Sequence, residues 1–69
     1  MEFFQVSSTS VAVLGYDEET QTLQVEFNTG MTYQYFDVPE SIFEDLRQSE
    51  SIGQYLNRNI KGTYRFSRV

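Results

Sequence analysis

Residues 22–36 read TLQVEFNTGMTYQYF, and the register of this stretch decides the fold. Leu23, Val25 and Phe27 alternate with Thr22, Gln24 and Glu26, the period of a strand with one buried face. Asn28-Thr29-Gly30 follows as a turn. A three-residue hairpin loop with Gly in the left-handed position would pair Phe27 with Met31. Met31, Tyr33 and Tyr35 then share the face of Leu23, Val25 and Phe27. A two-residue Thr-Gly loop would bring Thr32 and Gln34 to that face instead, because a one-residue slip exchanges the two faces of a strand. The three-residue loop keeps apolar beside apolar, so both tyrosine rings are expected on the inner face.

The flanking segments extend this hairpin into a sheet. FFQV (3–6) is a short apolar run closed by the polar SSTS. VAVLGY (11–16) is rich in strand formers and stops at the turn-like cluster Asp17-Glu18-Glu19-Thr20. Either Val11 and Val13 or Leu14 and Tyr16 can be its inward pair. After the hairpin the period changes. Pro39 suits the first turn of a helix, Glu40 complements its positive end, and Ile42, Phe43 and Leu46 recur at helical spacing. A second helix is expected from Ser51, with Ser51 and Gln54 as a capping box. Its inner stripe would be Ile52, Tyr55, Leu56, Asn59 and Ile60. Lys61 favours the negative helix end and Gly62 terminates it. TYRFSRV (63–69) alternates like an edge strand or an extended tail. The expected fold is α+β: one domain over residues 1–69, a small antiparallel β-meander of three to five strands packed by two helices from the second half of the chain.

Composition narrows the function. At 69 residues the chain buries only about 60% of the surface its unfolded form exposes. Its aromatics, 16% of residues, are what can hold so small a core. There is no cysteine and no histidine, so the usual thiolate, disulfide and imidazole chemistry has no residues to use. No catalytic residue, metal ligand or cofactor is expected, and the chain reads as a binding module rather than an enzyme. Asp17-Glu18-Glu19 lacks the ligand spacing of a calcium loop and reads as a solvated turn. Ser7, Ser8 and Ser10 have no base to activate them. No apolar run approaches the roughly 20 residues of a membrane span, and MEFFQVSSTS lacks the pattern of a signal peptide. A soluble cytoplasmic location is expected for this small acidic protein.

The order of elements, with particular residues, resembles the KTSC domain, a bacterial family named for the C-terminus of some lysyl-tRNA synthetases. The resemblance rests on Gly15-Tyr16-Asp17, on Tyr33-Gln34-Tyr35 followed by Val38-Pro39-Glu40, and on Tyr55-Leu56-Asn57-Arg58-Asn59-Ile60-Lys61-Gly62 with Tyr64. It implies a small domain without an established activity, for which the synthetase context suggests RNA binding. Tyr33, Tyr35 and Pro39 carry the family motif and read as structural, with each tyrosine hydroxyl reaching a hydrogen-bond partner at the core rim.

Charge points to the contact surface. The net charge is −5, but residues 1–50 hold all ten acids and only Arg47, while residues 51–69 hold Arg58, Lys61, Arg65 and Arg68 with no acid. These four cations interleave with Tyr55, Tyr64 and Phe66, and Asn57 and Asn59 add amides. Cations beside aromatics suit phosphate and base recognition in RNA. The expected RNA-contacting set is Arg58, Lys61, Arg65, Arg68, Tyr64 and Asn57. The competing reading has Arg58 and Lys61 at their helix end and Arg65 and Arg68 paired with surface acids. The alternative function is association with a protein or a second copy through a sheet edge and exposed aromatics.

Overall fold

The computed structural model describes residues 1–69. Five strands form one antiparallel sheet in chain order: β1 (Glu2–Gln5), β2 (Val11–Asp17), β3 (Thr22–Phe27), β4 (Thr32–Tyr35) and β5 (Phe66–Arg68). Between β4 and β5 the chain leaves the sheet as α1 (Glu40–Gln48), α2 (Ile52–Tyr55) and a π-helical turn, Leu56–Ile60. The tail is thus an edge strand that returns to the meander after the helices.

The β3–β4 loop is the three-residue one. Leu23 pairs with Tyr35 and Val25 with Tyr33. At the tip, the Phe27 N–H donates to the Met31 carbonyl at 2.8 Å and the Gly30 N–H to the Phe27 carbonyl at 2.9 Å. Gly30 has φ +94°, a conformation that side chains resist.

One irregularity settles the facing of β2. Val11 pairs with Phe27 but Val13 with Glu26, so the register slips between them. This bulge turns Val11 to the same side as Leu14 and Tyr16, and all three are buried. Val13 faces the other side. A bulge of one residue is how a strand buries positions 11 and 14 together.

Helix α1 begins after Pro39, which is the cap residue rather than the first helical one; its carbonyl accepts from the Ile42 and Phe43 N–H groups. Phe43 and Leu46 are buried against the sheet. The Phe43 ring stacks on Tyr16 with centroids 4.6 Å apart and rings 7° from parallel. At α2 the forward half of the capping box is present, Ser51 Oγ accepting from the Gln54 N–H at 3.4 Å. The inner stripe then departs from the expected one. Ile52, Leu56 and Ile60 are buried but Asn59 is exposed. At about 100° per residue, position 59 would fall back beside Ile52. Instead the Lys61 N–H bonds to the Leu56 carbonyl, five residues back, at 2.8 Å. The wider turn keeps the four-residue spacing on one face and rotates Asn59 outward.

The connection from sheet to α1 is pinned on both sides. The Val38 N–H donates to the Gln21 carbonyl at 2.9 Å, and the Tyr16 hydroxyl donates to the Val38 carbonyl in a buried bond. Removing a buried donor exposes the full cost of an unpaired acceptor, about 1–3 kcal/mol. Tyr16→Phe is therefore expected to lower stability by about that amount in urea denaturation. Tyr33→Phe, which removes a hydroxyl with no partner in the chain, should stay within about 0.5 kcal/mol. Equal costs would contradict this assignment.

Candidate nucleic-acid interface

The helices do not cover the whole inner face. Tyr35 lies under them at 2% exposure, whereas Tyr33, one step nearer the hairpin tip, is half-buried. On the edge strand β5, Phe66, opposite Tyr35, is 59% exposed. Tyr33 stacks on Phe66 with centroids 5.8 Å apart and rings 13° from parallel, and meets Phe27 edge-on at 5.8 Å. The open end of the sheet is therefore an aromatic surface.

A cleft of about 640 Å³ opens beside it, between the β3–β4 hairpin tip and the second helix. Phe27, Met31, Tyr33 and Leu56 form its apolar part, and Ser10, Ser51, Gln54 and Asn57 its polar rim. The walls are braced. Ser8 Oγ accepts from the Ser10 and Val11 N–H groups at 3.1 and 3.2 Å. The Asn28 N–H donates to the Ser10 carbonyl at 2.9 Å, and the Asn28 side chain to the Ser8 carbonyl at 3.3 Å. Hairpin tip and 8–10 turn thus hold one another.

The cations divide. Lys61 lines the cleft with its ammonium 5.2 Å from the Phe27 ring centroid. Arg68 is opposite Tyr33 in the β4–β5 ladder, on the same face, and makes no ion pair. Arg58 is exposed on the π-helical turn, also without an ion pair and outside the cleft. Arg65 is different. It sits three residues before Arg68, so it faces the other side of the strand, and its guanidinium bonds Asp37 at 2.8 Å. Asn57 is on the cleft rim and Tyr64 is half-buried against the core. The structure thus brings Lys61, Asn57 and the Tyr33 ring to one end of the sheet, with Arg68 beside them.

The opposite end of the strands is acidic. Glu18, Glu40 and Glu44 border a second cleft over Tyr16 and Phe43, and Arg47 covers Phe4 with its guanidinium 4.4 Å from the ring centroid. The hydrogen bond that the protonated Glu40 carboxyl donates to Glu18, then the Glu18 charge, raises the pKa of Glu40. Excess negative charge gathers away from the aromatic end.

Two expectations change here. Neither Tyr33 nor Tyr35 hydrogen-bonds through its hydroxyl within the chain; Tyr16 makes that contact instead. Since no buried side-chain polar atom lacks a partner, the Tyr35 hydroxyl reaches solvent while its ring is enclosed. Phe27 and Gln54 line the cleft, whereas the sequence reading gave the first only a place on the inner face and the second only one in a capping box. The pairing of Phe27 with Met31 at the hairpin tip was a signal for the first; nothing in the sequence marked the π-helical turn that frames the second.

The model of the KTSC domain matches residues 7–64. The chain belongs to the KTSC domain family. It is 46% identical over 54 residues to a lysine–tRNA ligase of Nostoc punctiforme, a match covering 78% of this chain and 10% of the ligase. The chain thus corresponds to about a tenth of that relative's length. It is 37% identical to an uncharacterised protein of Stutzerimonas stutzeri, with 100% and 99% of the two chains covered. The crystal structure of a KTSC domain protein from Yersinia pestis superposes with a TM-score of 0.95 at 29% identity, covering 99% of this chain and 96% of that one. The family therefore occurs both fused to a ligase and as a short protein of this length. No helix of this KTSC domain is long and apolar enough to cross a membrane.

Burial, with the neighbouring Tyr33 second, raises the Tyr35 phenol above its ordinary value; burial, then Glu40, Glu18 and Asp17, raises Tyr16 likewise. A raised folded-state pKa means the fold prefers the neutral phenol. That contribution is complete below the unfolded value of about 10 and is lost as pH rises through the folded value. The urea midpoint should fall as pH passes about 10, and Tyr35→Phe should flatten the fall relative to its own neutral-pH midpoint. An identical pH profile in Tyr35→Phe would contradict the assignment.

Proposed function

We propose that this KTSC domain is a non-catalytic module that binds unpaired RNA weakly, through the uncovered aromatic end of its sheet. The observation that carries the reading is the Tyr33–Phe66 stack, in which Phe66 is exposed and Tyr33 half-buried, with Arg68 opposite Tyr33 and Lys61 over the adjoining Phe27 ring. Base stacking on such rings is worth roughly 1–3 kcal/mol per base in single-strand binders and tolerates any sequence. Kinship with ligases whose names assign them a tRNA adds support. Affinity is held down by the rest of the molecule, whose net negative charge repels the same strand at low salt.

Within the reading, the four C-terminal cations are not equivalent. Arg58, Lys61 and Arg68 are free to meet phosphates, whereas Arg65 is engaged by Asp37. A sheet-edge reading has its own observation: β1 and β5 are both edges, and Phe3 and Phe66 beside them are 56% and 59% exposed. It would show as concentration-dependent mass, insensitive to salt and to these cations.

Three phosphate contacts should give a slope of log affinity against log salt of about −2 for a single strand. Replacing Lys61 and Arg68 with Gln should reduce its magnitude by about 1.4, while Arg65→Gln should leave it nearly unchanged. The measurement is an NMR titration with unpaired RNA at several salt concentrations. No chemical-shift change at low salt would overturn the reading.

A further inference from the structure

We infer that the cleft between the hairpin tip and the second helix is a pocket for a single unstacked nucleotide, which discriminates among bases. The inference rests on the RNA-binding reading and makes it specific: the Tyr33–Phe66 surface accepts any base, and the cleft reads one.

Three observations carry it. The first is size and lining. At about 640 Å³ the cleft falls within the roughly 300–1,000 Å³ of small-molecule sites, which combine apolar walls with a few convergent polar groups. The second is charge. The chain has ten acids, yet no carboxylate lines the cleft; its one charged residue is Lys61. One cation at the rim of an otherwise neutral cleft matches a ligand with a phosphate at one end and an uncharged ring at the other. The third is the pair of amides. Gln54 and Asn57 line the cleft and make no side-chain hydrogen bond within the chain. Each offers a donor and an acceptor side by side, the pattern that the edges of the bases also present.

The backbone explains how these groups come together. The five-residue bond from the Lys61 N–H to the Leu56 carbonyl closes the wide turn that carries Asn57 and delivers Lys61 beside Phe27. Such π-helical turns occur often at functional sites. Gly53 lets α2 approach the 8–10 turn closely, since a Cβ there would lie 3.3 Å from Ser10 Oγ. A base entering over Phe27 and Tyr33 would present its edge to Gln54 and Asn57, with its phosphate toward Lys61.

The test is an NMR titration of the full chain at low salt with inorganic phosphate, with each of the four common nucleoside 5′-monophosphates, and with short single-stranded homo-oligonucleotides. The expected result is that amide signals of Phe27, Tyr33, Gln54 and Asn57 shift with one base preferred. Asn57→Ala and Asn57→Asp, both at an exposed position, should keep the spectrum of a folded domain. They should weaken the preferred oligonucleotide roughly 3–10-fold and level the preference while leaving the salt slope of Asn57→Ala unchanged. Three results would overturn the pocket. One is oligonucleotide binding with shifts confined to Phe66 and Arg68 and an unaltered preference in Asn57→Ala; RNA binding would then stand without it. Another is that phosphate alone reproduces the nucleotide shifts. The last is no binding of any oligonucleotide, which removes the RNA-binding reading as well.

Discussion

The register of the β3–β4 hairpin is the constraint on which the rest of this domain depends. A left-handed glycine at position 30 closes a loop of three residues and sets Tyr35 opposite Leu23 and Tyr33 opposite Val25. With one residue fewer in the loop, Thr32 and Gln34 would face the core and the tyrosines would face water. With the register as it is, the inner face carries large rings along β4, and the helices have something to pack on. Their coverage ends between Tyr35 and Tyr33. That boundary encloses one tyrosine in the core and leaves its neighbour half-buried at the core's margin.

The same boundary separates the roles of the charges. At the Asp17 end of the strands the sheet is covered by α1, pinned through Tyr16 and Val38, and surrounded by carboxylates. At the hairpin end the cover thins to α2 and its wide turn, and the exposed cations Lys61 and Arg68 border the half-buried rings of Phe27 and Tyr33. An acidic protein can thus present a locally cationic, aromatic surface. The separation is structural rather than a matter of net charge. Arg65, drawn across to Asp37, belongs to the covered end although it is only three residues from Arg68 in the chain.

Much of this was legible in the residues. Alternation in 22–27, the Asn28-Thr29-Gly30 loop and Pro39 before an apolar helical stripe yield the α+β class and the facing of both tyrosines. The segment 11–16 was ambiguous because it contains a bulge: a strict two-residue period cannot bury Val11 and Leu14 together, and propensity does not mark where the slip falls. Asn59 was misplaced for a related reason. Regular helical spacing puts it inward, and only the five-residue hydrogen bond turns it out. The hydroxyl contact at the core edge was expected of Tyr33 and Tyr35 and is made by Tyr16, because its position depends on where the chain crosses from β4 to α1. Periodicity reveals which residues share an element; irregular turns, set by tertiary packing, decided the shape of the cleft.

The most direct measurement is the broadening of assigned aromatic ring signals by a soluble paramagnetic probe. The rings of Tyr33 and Phe66 should broaden strongly while those of Tyr35 and Tyr16 stay sharp, as expected if the helices stop between the two tyrosines of β4. Equal broadening of Tyr33 and Tyr35, or equal protection of both, would contradict the division of the sheet into a covered core and an open aromatic end.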